Sequence, residues 1–295
     1  MVRPKIFLIY YSTYGHVHTV AQSVRKGLEK SNQVDVELYQ FPETLSQDTL
    51  SKMNALPKSD IPAITPEKLT EADGFLFGFP TRFGAAPAQV KALFDATGSL
   101  WSKAALYGKL AGLFFSTGTQ HGGQETTAFT FLPNLVHHGI IYVPLGFKSA
   151  HLFDNSEVVG GSAWGAGTVA GSDGSRLPNE KELEIAETQG EEFAKIAVKL
   201  VGHKDGDEPP AAAAAAAVPD QAQAPVAADE APESEPPQEE QPLQQEQPLQ
   251  QEQPLQQEQP PQQNQARQQQ EQPPASAPQK APRKKGRVRE KCTIA

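Results

Sequence analysis

From Lys5 to Tyr11 the chain is almost continuously apolar, Lys-Ile-Phe-Leu-Ile-Tyr-Tyr. A run of that length without polar alternation predicts a strand covered on both faces. Directly after it, Val17, Val20, Ala21, Val24 and Leu28 recur at intervals of three and four, the spacing of one buried helix face. Val34 to Leu38 alternates as a second strand, and Gly74 to Phe79 is a third apolar run. Ala88 to Ala96 places Val90, Leu93 and Phe94 on one side of a helix. Leu110 to Phe115 predicts a fourth strand, Ala128 to His138 a helix, Ile140 to Val143 a fifth strand, and Lys181 to Val201 a closing amphipathic helix. Alternating strands and helices predict an α/β domain built on a doubly wound, five-stranded parallel sheet, with its ligand at the carboxyl ends of the strands.

Composition divides the chain. Residues 1–204 carry 18 Lys and Arg against 20 Asp and Glu, whereas 205–279 carry 14 acidic residues against Arg267 alone. The net charge of −9 is therefore an average over unlike segments. Residues 1–204 suffice for one domain with a sizeable core. Residues 205–279 lack aromatic side chains and are rich in Pro, Gln, Ala and Glu, so they cannot bury enough apolar surface to offset chain entropy. Pro-Leu-Gln-Gln-Glu-Gln repeats in register from Pro242 to Gln259. The expectation is a disordered linker followed, over 280–295, by a basic tip. The start of the chain shows no basic-then-apolar leader, and no stretch approaches the ~18 apolar residues of a membrane span.

Three loops follow strands one, three and four, and all are rich in hydroxyls and glycine. Ser12-Thr13-Tyr14-Gly15-His16-Val17 opens straight into a helix, where hydroxyls and free N–H groups make a phosphate site. It has neither the Gly-Lys-Ser/Thr of a Walker loop nor a G-x-G-x-x-G turn. A phosphate held without a cationic side chain is the flavin mononucleotide (FMN) solution; an ordinary helix cap remains the alternative. The other two loops are Pro80-Thr81-Arg82-Phe83-Gly84 and Ser116-Thr117-Gly118-Thr119-Gln120-His121-Gly122-Gly123. The scattered histidines lack Cys or carboxylate partners at ligand spacing, so no metal site is expected.

Together with Leu100-Trp101, Leu106-Tyr107-Gly108-Lys109, His137-His138-Gly139 and Gly171-Ser172-Asp173-Gly174-Ser175-Arg176, these loops resemble the WrbA family of flavodoxin-like NAD(P)H:quinone oxidoreductases. The resemblance runs in order from about Lys5 to Val201. It implies a flavodoxin-like sheet of order 2-1-3-4-5, FMN as cofactor, NADH or NADPH as electron donor, a quinone substrate and a homotetramer. Ser12, Thr13, Tyr14, Gly15, His16 and Val17 would wrap the phosphate. Pro80, Thr81, Arg82, Phe83 and Gly84 would lie along the ring. Ser116, Thr117, Gly118, Thr119, Gln120, His121 and Gly122 would complete its contacts, with His137 approaching from a neighbouring part of the site. Tyr14 and Trp101 match positions that contact nicotinamide and quinone, Trp101 in the assembled oligomer. No side chain beyond the flavin is expected to react. Two departures are visible: Gln120-His121 lengthens a loop that is shorter and more glycine-rich in the bacterial pattern, and Phe147 stands where Tyr is usual. For His16, a local hydrogen bond is the alternative to a ligand role; for Arg82, it is pairing with a nearby acid.

The chain ends Cys292-Thr293-Ile294-Ala295, with its sole cysteine fourth from the end and an aliphatic residue two places on. That is the pattern of a C-terminal prenylation signal. One prenyl chain anchors only marginally, but Lys280, Arg283, Lys284, Lys285, Arg287, Arg289 and Lys291 precede it, each worth about 1 kcal/mol near an anionic leaflet. The expectation is attachment to the cytosolic face of a membrane, the plasma membrane foremost, beside a cytoplasmic pool, with no nucleic-acid partner. Two rivals accompany the enzyme: a membrane-tethered scaffold or signalling protein with little catalysis, and a nucleic-acid binder acting through the basic tip.

Overall fold

The computed structural model describes residues 3–201. The linker, the basic tip and Cys292 lie outside the described residues. Parallel strands β1 (Lys5–Tyr10), β2 (Asp35–Gln40), β3 (Gly74–Pro80), β4 (Leu110–Thr117) and β5 (Ile141–Tyr142) lie in the order 2-1-3-4-5. The helices are α1 (His16–Lys30), α2 (Gln47–Lys52), α3 (Ala88–Asp95), α4 (Gly98–Ser102), α5 (Thr126–His137) and α6 (Glu180–Val201).

Successive residues along β1 and β3 face opposite sides of the sheet, as strand geometry requires. Phe7, Ile9, Phe75, Phe77 and Phe79 pack with Val90 and Phe94 of α3 and Phe131 and Leu135 of α5. Ile6, Leu8 and Leu76 pack with Val17, Val20 and Val24 of α1 and Ile185 and Phe193 of α6. Both faces are thus covered, which is why the strands read as unbroken apolar runs. Where α1 crosses α6, Gly27 and Gly190 let the two backbones touch. A β-carbon on Gly27 would overlap the Glu187 carbonyl, and one on Gly190 the Val24 carbonyl.

The fifth position of the sheet departs from the expected single strand over Ile140 to Val143. It is shared by two short strands, β5 and β6 (Gly167–Val169), both parallel to β4. β5 pairs with Leu110 and Ala111, and β6 with Phe115 to Thr117. Between them the Gln189 side chain replaces the missing ladder: Ala166 N–H donates to its Oε1 (2.8 Å), and its Nε2 donates to the Leu113 carbonyl (2.8 Å). A buried carbonyl left without a donor would cost about 1–3 kcal/mol, so the substitution matters to the edge of β4.

Candidate functional site

The first loop ends in Gly15, the N-cap of α1, in the left-handed region at φ 90°. No side chain caps the helix, and its first turn carries no acidic residue. The first intrahelical bond is Thr19 N–H to Gly15 C=O (2.9 Å), so the amides of His16, Val17 and His18 precede the helical ladder. The Ser12 hydroxyl accepts the Gly15 N–H (3.1 Å) and sets the turn. Thr13 Oγ1 is buried and forms no hydrogen bond; the neighbouring Tyr11 hydroxyl donates instead to Glu43 (3.1 Å). An uncapped helix N-terminus beside an unsatisfied buried hydroxyl fits an anion such as a phosphate ester.

The second loop is a tight turn closed by Arg82 N–H to Ala85 C=O (2.7 Å) and Ala85 N–H to Arg82 C=O (3.0 Å). Phe83 and Gly84 at its tip have φ of 52° and 78°. Glycine adopts this region freely; for phenylalanine it is strained, by about 1–3 kcal/mol, and such strain clusters at ligand clamps. The Phe83 ring is fully exposed. Thr81 Oγ1 anchors the turn, accepting from Gly84 N–H (3.1 Å) and from the Thr127 hydroxyl (2.8 Å) of α5.

All three loops meet. Ser12, Thr13, Tyr14, His16 and Val17 of the first line a cavity of about 30 Å³ with Pro80 and Arg82 of the second and Ser116 of the third. A larger groove of about 630 Å³ is lined by Phe83, Gly84, Gln120, His121 and Gly122 together with Gln124, Val159, Gly161 and Ser162. Thr117 turns its hydroxyl inward to the Thr119 carbonyl (2.7 Å), while Gly118 and Thr119 stay exposed. Among the described residues no group of three His, Cys, Asp or Glu side chains is placed to hold a metal ion.

Individual side chains refine the reading. The His16 ring is buried and its Nε2 donates to the Arg176 carbonyl (3.1 Å), so it ties the first loop to the glycine-rich segment 171–176. Arg82 pairs with no acid among the described residues; its guanidinium donates to the Thr81 carbonyl (2.9 Å). Tyr14 donates its hydroxyl to the Met53 carbonyl (3.2 Å) and leaves its ring half exposed. Arg176 pairs with the fully buried Glu182 (3.0 Å), and Asp173 accepts from Ser175 (2.9 Å); both organise the loop. The Phe147 ring packs against Phe153 (5.2 Å), both largely exposed.

His137 is the exception. It does not join the three loops within the protomer, because α5 begins beside the third loop and ends at His137, roughly 16 Å away at 1.5 Å per residue. There it lines a different cavity, of about 390 Å³, with Trp101, Asp95 and the buried His138. His138 Nε2 donates to the Thr97 hydroxyl (2.8 Å), which donates on to the Phe94 carbonyl (2.5 Å). That chain fixes the start of α4, which carries Trp101. Burial, and then the adjacent His137, hold the His138 pKa below its ordinary value.

Sequence reasoning missed several residues. Lys58, from the segment after β2, lies over the Tyr11 ring (4.3 Å) and donates to the Ser12 carbonyl (3.3 Å), so a cation does reach the first loop. Its ion-pair partner Glu43 (2.9 Å) also accepts from Tyr11, from Gln89 (2.9 Å) and from the Leu45 amide (3.1 Å). Burial would raise the Glu43 pKa, but the hydrogen bonds from Lys58, Gln89 and Leu45 outweigh it and bring it to about 2. Gln124 and Glu182 are buried as well and equally absent from any local pattern.

Residues 4–153 match the family described as NADPH-dependent FMN reductase, a span that contains all three loops and His137. The chain belongs to that family. It is 56% identical over 197 residues to the quinone oxidoreductase QR2 of Triphysaria versicolor, covering 66% of this chain and 96% of that protein. It is 52% identical over 195 residues to the NAD(P)H quinone oxidoreductase PST2 of Candida albicans, covering 66% and 96% respectively. Among solved structures it is similar to a flavodoxin, WrbA-like protein from Agrobacterium tumefaciens, with 23% identity, a TM-score of 0.46, and coverage of 67% of this chain and 99% of that one.

Proposed function

We propose that this protein is an FMN-dependent NAD(P)H:quinone oxidoreductase. The observation that carries the reading is the uncapped N-terminus of α1 with the unsatisfied Thr13 hydroxyl beside it, in the cavity where all three loops meet. The names of the relatives above agree with it. When bound, FMN supplies the two-electron chemistry, accepting a hydride from the nicotinamide and passing two electrons to the quinone. The chain's own residues bind and orient. Ser12 to Val17 would hold the phosphate through amides and hydroxyls, with the α1 dipole in place of a dedicated cation. Thr81 to Gly84 and Ser116 to Gly122 would grip the ring from two sides, leaving one face to the groove. Nicotinamide and quinone would occupy that face in turn, against Phe83 and the Tyr14 ring.

The finer parts of the proposal are assembly and place. His137 and Trp101 sit at the far end of α5 from their own protomer's loops, so in a homotetramer they would complete a neighbour's groove. The exposed apolar side chains of Tyr107, Val136 and Ile141 near that end support such a contact. Cys292 and the basic tip would hold the assembly on an anionic membrane surface, where four weak anchors act together, in a role protective against quinones and oxidative stress.

The test is a visible spectrum of the purified full chain. A flavin spectrum is expected, bleached by NAD(P)H under nitrogen and restored by benzoquinone. Protein that is colourless and cannot be loaded with FMN would overturn the proposal. Replacing Cys292 by Ser should move the protein to the soluble fraction at unchanged turnover. Persistence at the membrane would reject the anchor.

A further inference from the structure

Gln124 is nine-tenths buried and its amide bridges three segments that are distant in sequence. Nε2 donates to Thr117 Oγ1 (2.7 Å) in the third loop and to the Thr168 carbonyl (3.1 Å) in β6. Oε1 accepts the N–H of Gly161 (2.7 Å), which lines the groove as Gln124 does. The absence of a side chain at Gly167 makes room for it, since a β-carbon there would overlap Gln124 Oε1. The polarity of this chain is fixed. Thr117 has a single hydroxyl proton, which goes to the Thr119 carbonyl (2.7 Å), so its oxygen must accept from the amide.

We infer that Gln124 is a positioning residue that couples the third loop to the Val159–Ser162 wall and so sets the width of the groove that receives the flavin ring. This rests on the FMN reading above. One carboxamide, itself in the groove lining, ties two sets of lining residues together: Gln120–Gly122 through Thr117 and Thr119, and Val159–Ser162 through Gly161. A carboxylate cannot substitute. It has no donor for the Thr168 carbonyl and would draw the Thr117 proton to itself, leaving the Thr119 carbonyl with the Gly122 N–H (3.0 Å) alone and the turn less firmly tied to β4. Gln189 bridges the same interrupted edge of β4 but lines no part of the groove, and provides the control.

The test is amide hydrogen exchange on the flavin-free full chain, with FMN titration by fluorescence alongside. Gln124→Met, which removes all three hydrogen bonds of the carboxamide, should speed exchange about tenfold in residues 119–123 and 159–162 together and raise the FMN dissociation constant at least tenfold. Gln124→Glu should do at least as much. Gln189→Met should lower the melting temperature and leave exchange at 119–123 as in the wild type. Thr117→Val cuts only the link to the third loop; it should speed exchange at 119–123 alone, and it replaces Gln124→Met if that variant does not fold. Unchanged exchange at 119–123 in Gln124→Met, or an FMN dissociation constant within about twofold of the wild type, overturns the inference. A wild-type protein that takes up no FMN overturns the functional reading instead, and the exchange data then decide the coupling by themselves.

Discussion

Replacing Glu43 by Gln should destabilise the protein in a way that depends on pH. The carboxyl is held at about 2, against an ordinary 4.5. At about 1.36 kcal/mol for each tenfold change in proton affinity, that gap corresponds to about 3 kcal/mol. The Lys58 partner is about a third exposed (32%) and solvent screens the pair, so about 1–2 kcal/mol is the expected loss at pH 7. The folded-state pKa is depressed, so the contribution is complete above about 4.5 and disappears as the pH falls toward 2. At pH 3 it should have dropped to about 40% of its neutral value. Urea midpoints of wild type and Glu43→Gln measured between pH 7 and pH 3 isolate the effect, because the other carboxyls are common to both proteins. In melting temperature the neutral-pH loss is about 3–6 °C for a domain of this size. A difference of the same size at pH 3 and pH 7, or none at pH 7, would refute the assignment. The site should respond as well. Glu43 and Lys58 hold the segment that reaches the first loop through Leu56 N–H and Thr13 C=O (3.0 Å), so FMN affinity should fall with stability.

Thr13→Val removes a buried hydroxyl that has no partner among the described residues, so thermal stability should hold or rise slightly while FMN binding weakens about five- to twentyfold, as titration of the apoprotein would measure. Phe83→Gly relieves the positive φ at an exposed position; it should raise the urea midpoint slightly and raise the quinone KM, with kcat less affected. Gly27→Ala forces a methyl into the Glu187 backbone and should cost about 1–3 kcal/mol in chemical denaturation, without altering flavin affinity in the fraction that folds.

The architecture was legible because the physics that makes it is local. Strands covered on both faces must be unbroken apolar runs, and helices against them must repeat every three to four residues; Phe75-Leu76-Phe77 and the series from Val17 to Leu28 record this directly. The three loops were legible too, since a hydroxyl-rich turn into a helix announces itself. What escaped was long in range. Glu43 gathers Lys58, 15 positions on by sequence number, and Gln89, 46 away, and Gln124 reaches Thr168, 44 away. A lone polar residue has no periodicity, and only its burial, which tertiary packing decides, separates it from a solvated one. The split of the fifth strand was hidden for a related reason: Gly167-Thr168-Val169 is too short and too rich in glycine to read as a strand. The distance of His137 from the three loops follows from the length of α5 and not from residue type, so a residue-by-residue reading carries no sign of it.

The side chains of Gln124 and Gln189 are, chemically, peptide groups on flexible stems. Gln189 supplies a donor and an acceptor where the main chain of the fifth strand departs from the sheet, and Gln124 ties the returning strand β6 to Thr117 and Gly161, so the sheet no longer depends on that strand being continuous. The excursion from Val143 to Ala166 is therefore free of the length constraint that a backbone ladder would impose. Its outer part can be shortened or extended with little effect on the central strands, provided the two carboxamides and the glycines that receive them are kept. Change there can proceed by insertion and deletion, which the central strands, tied to one another by a continuous backbone ladder, do not permit.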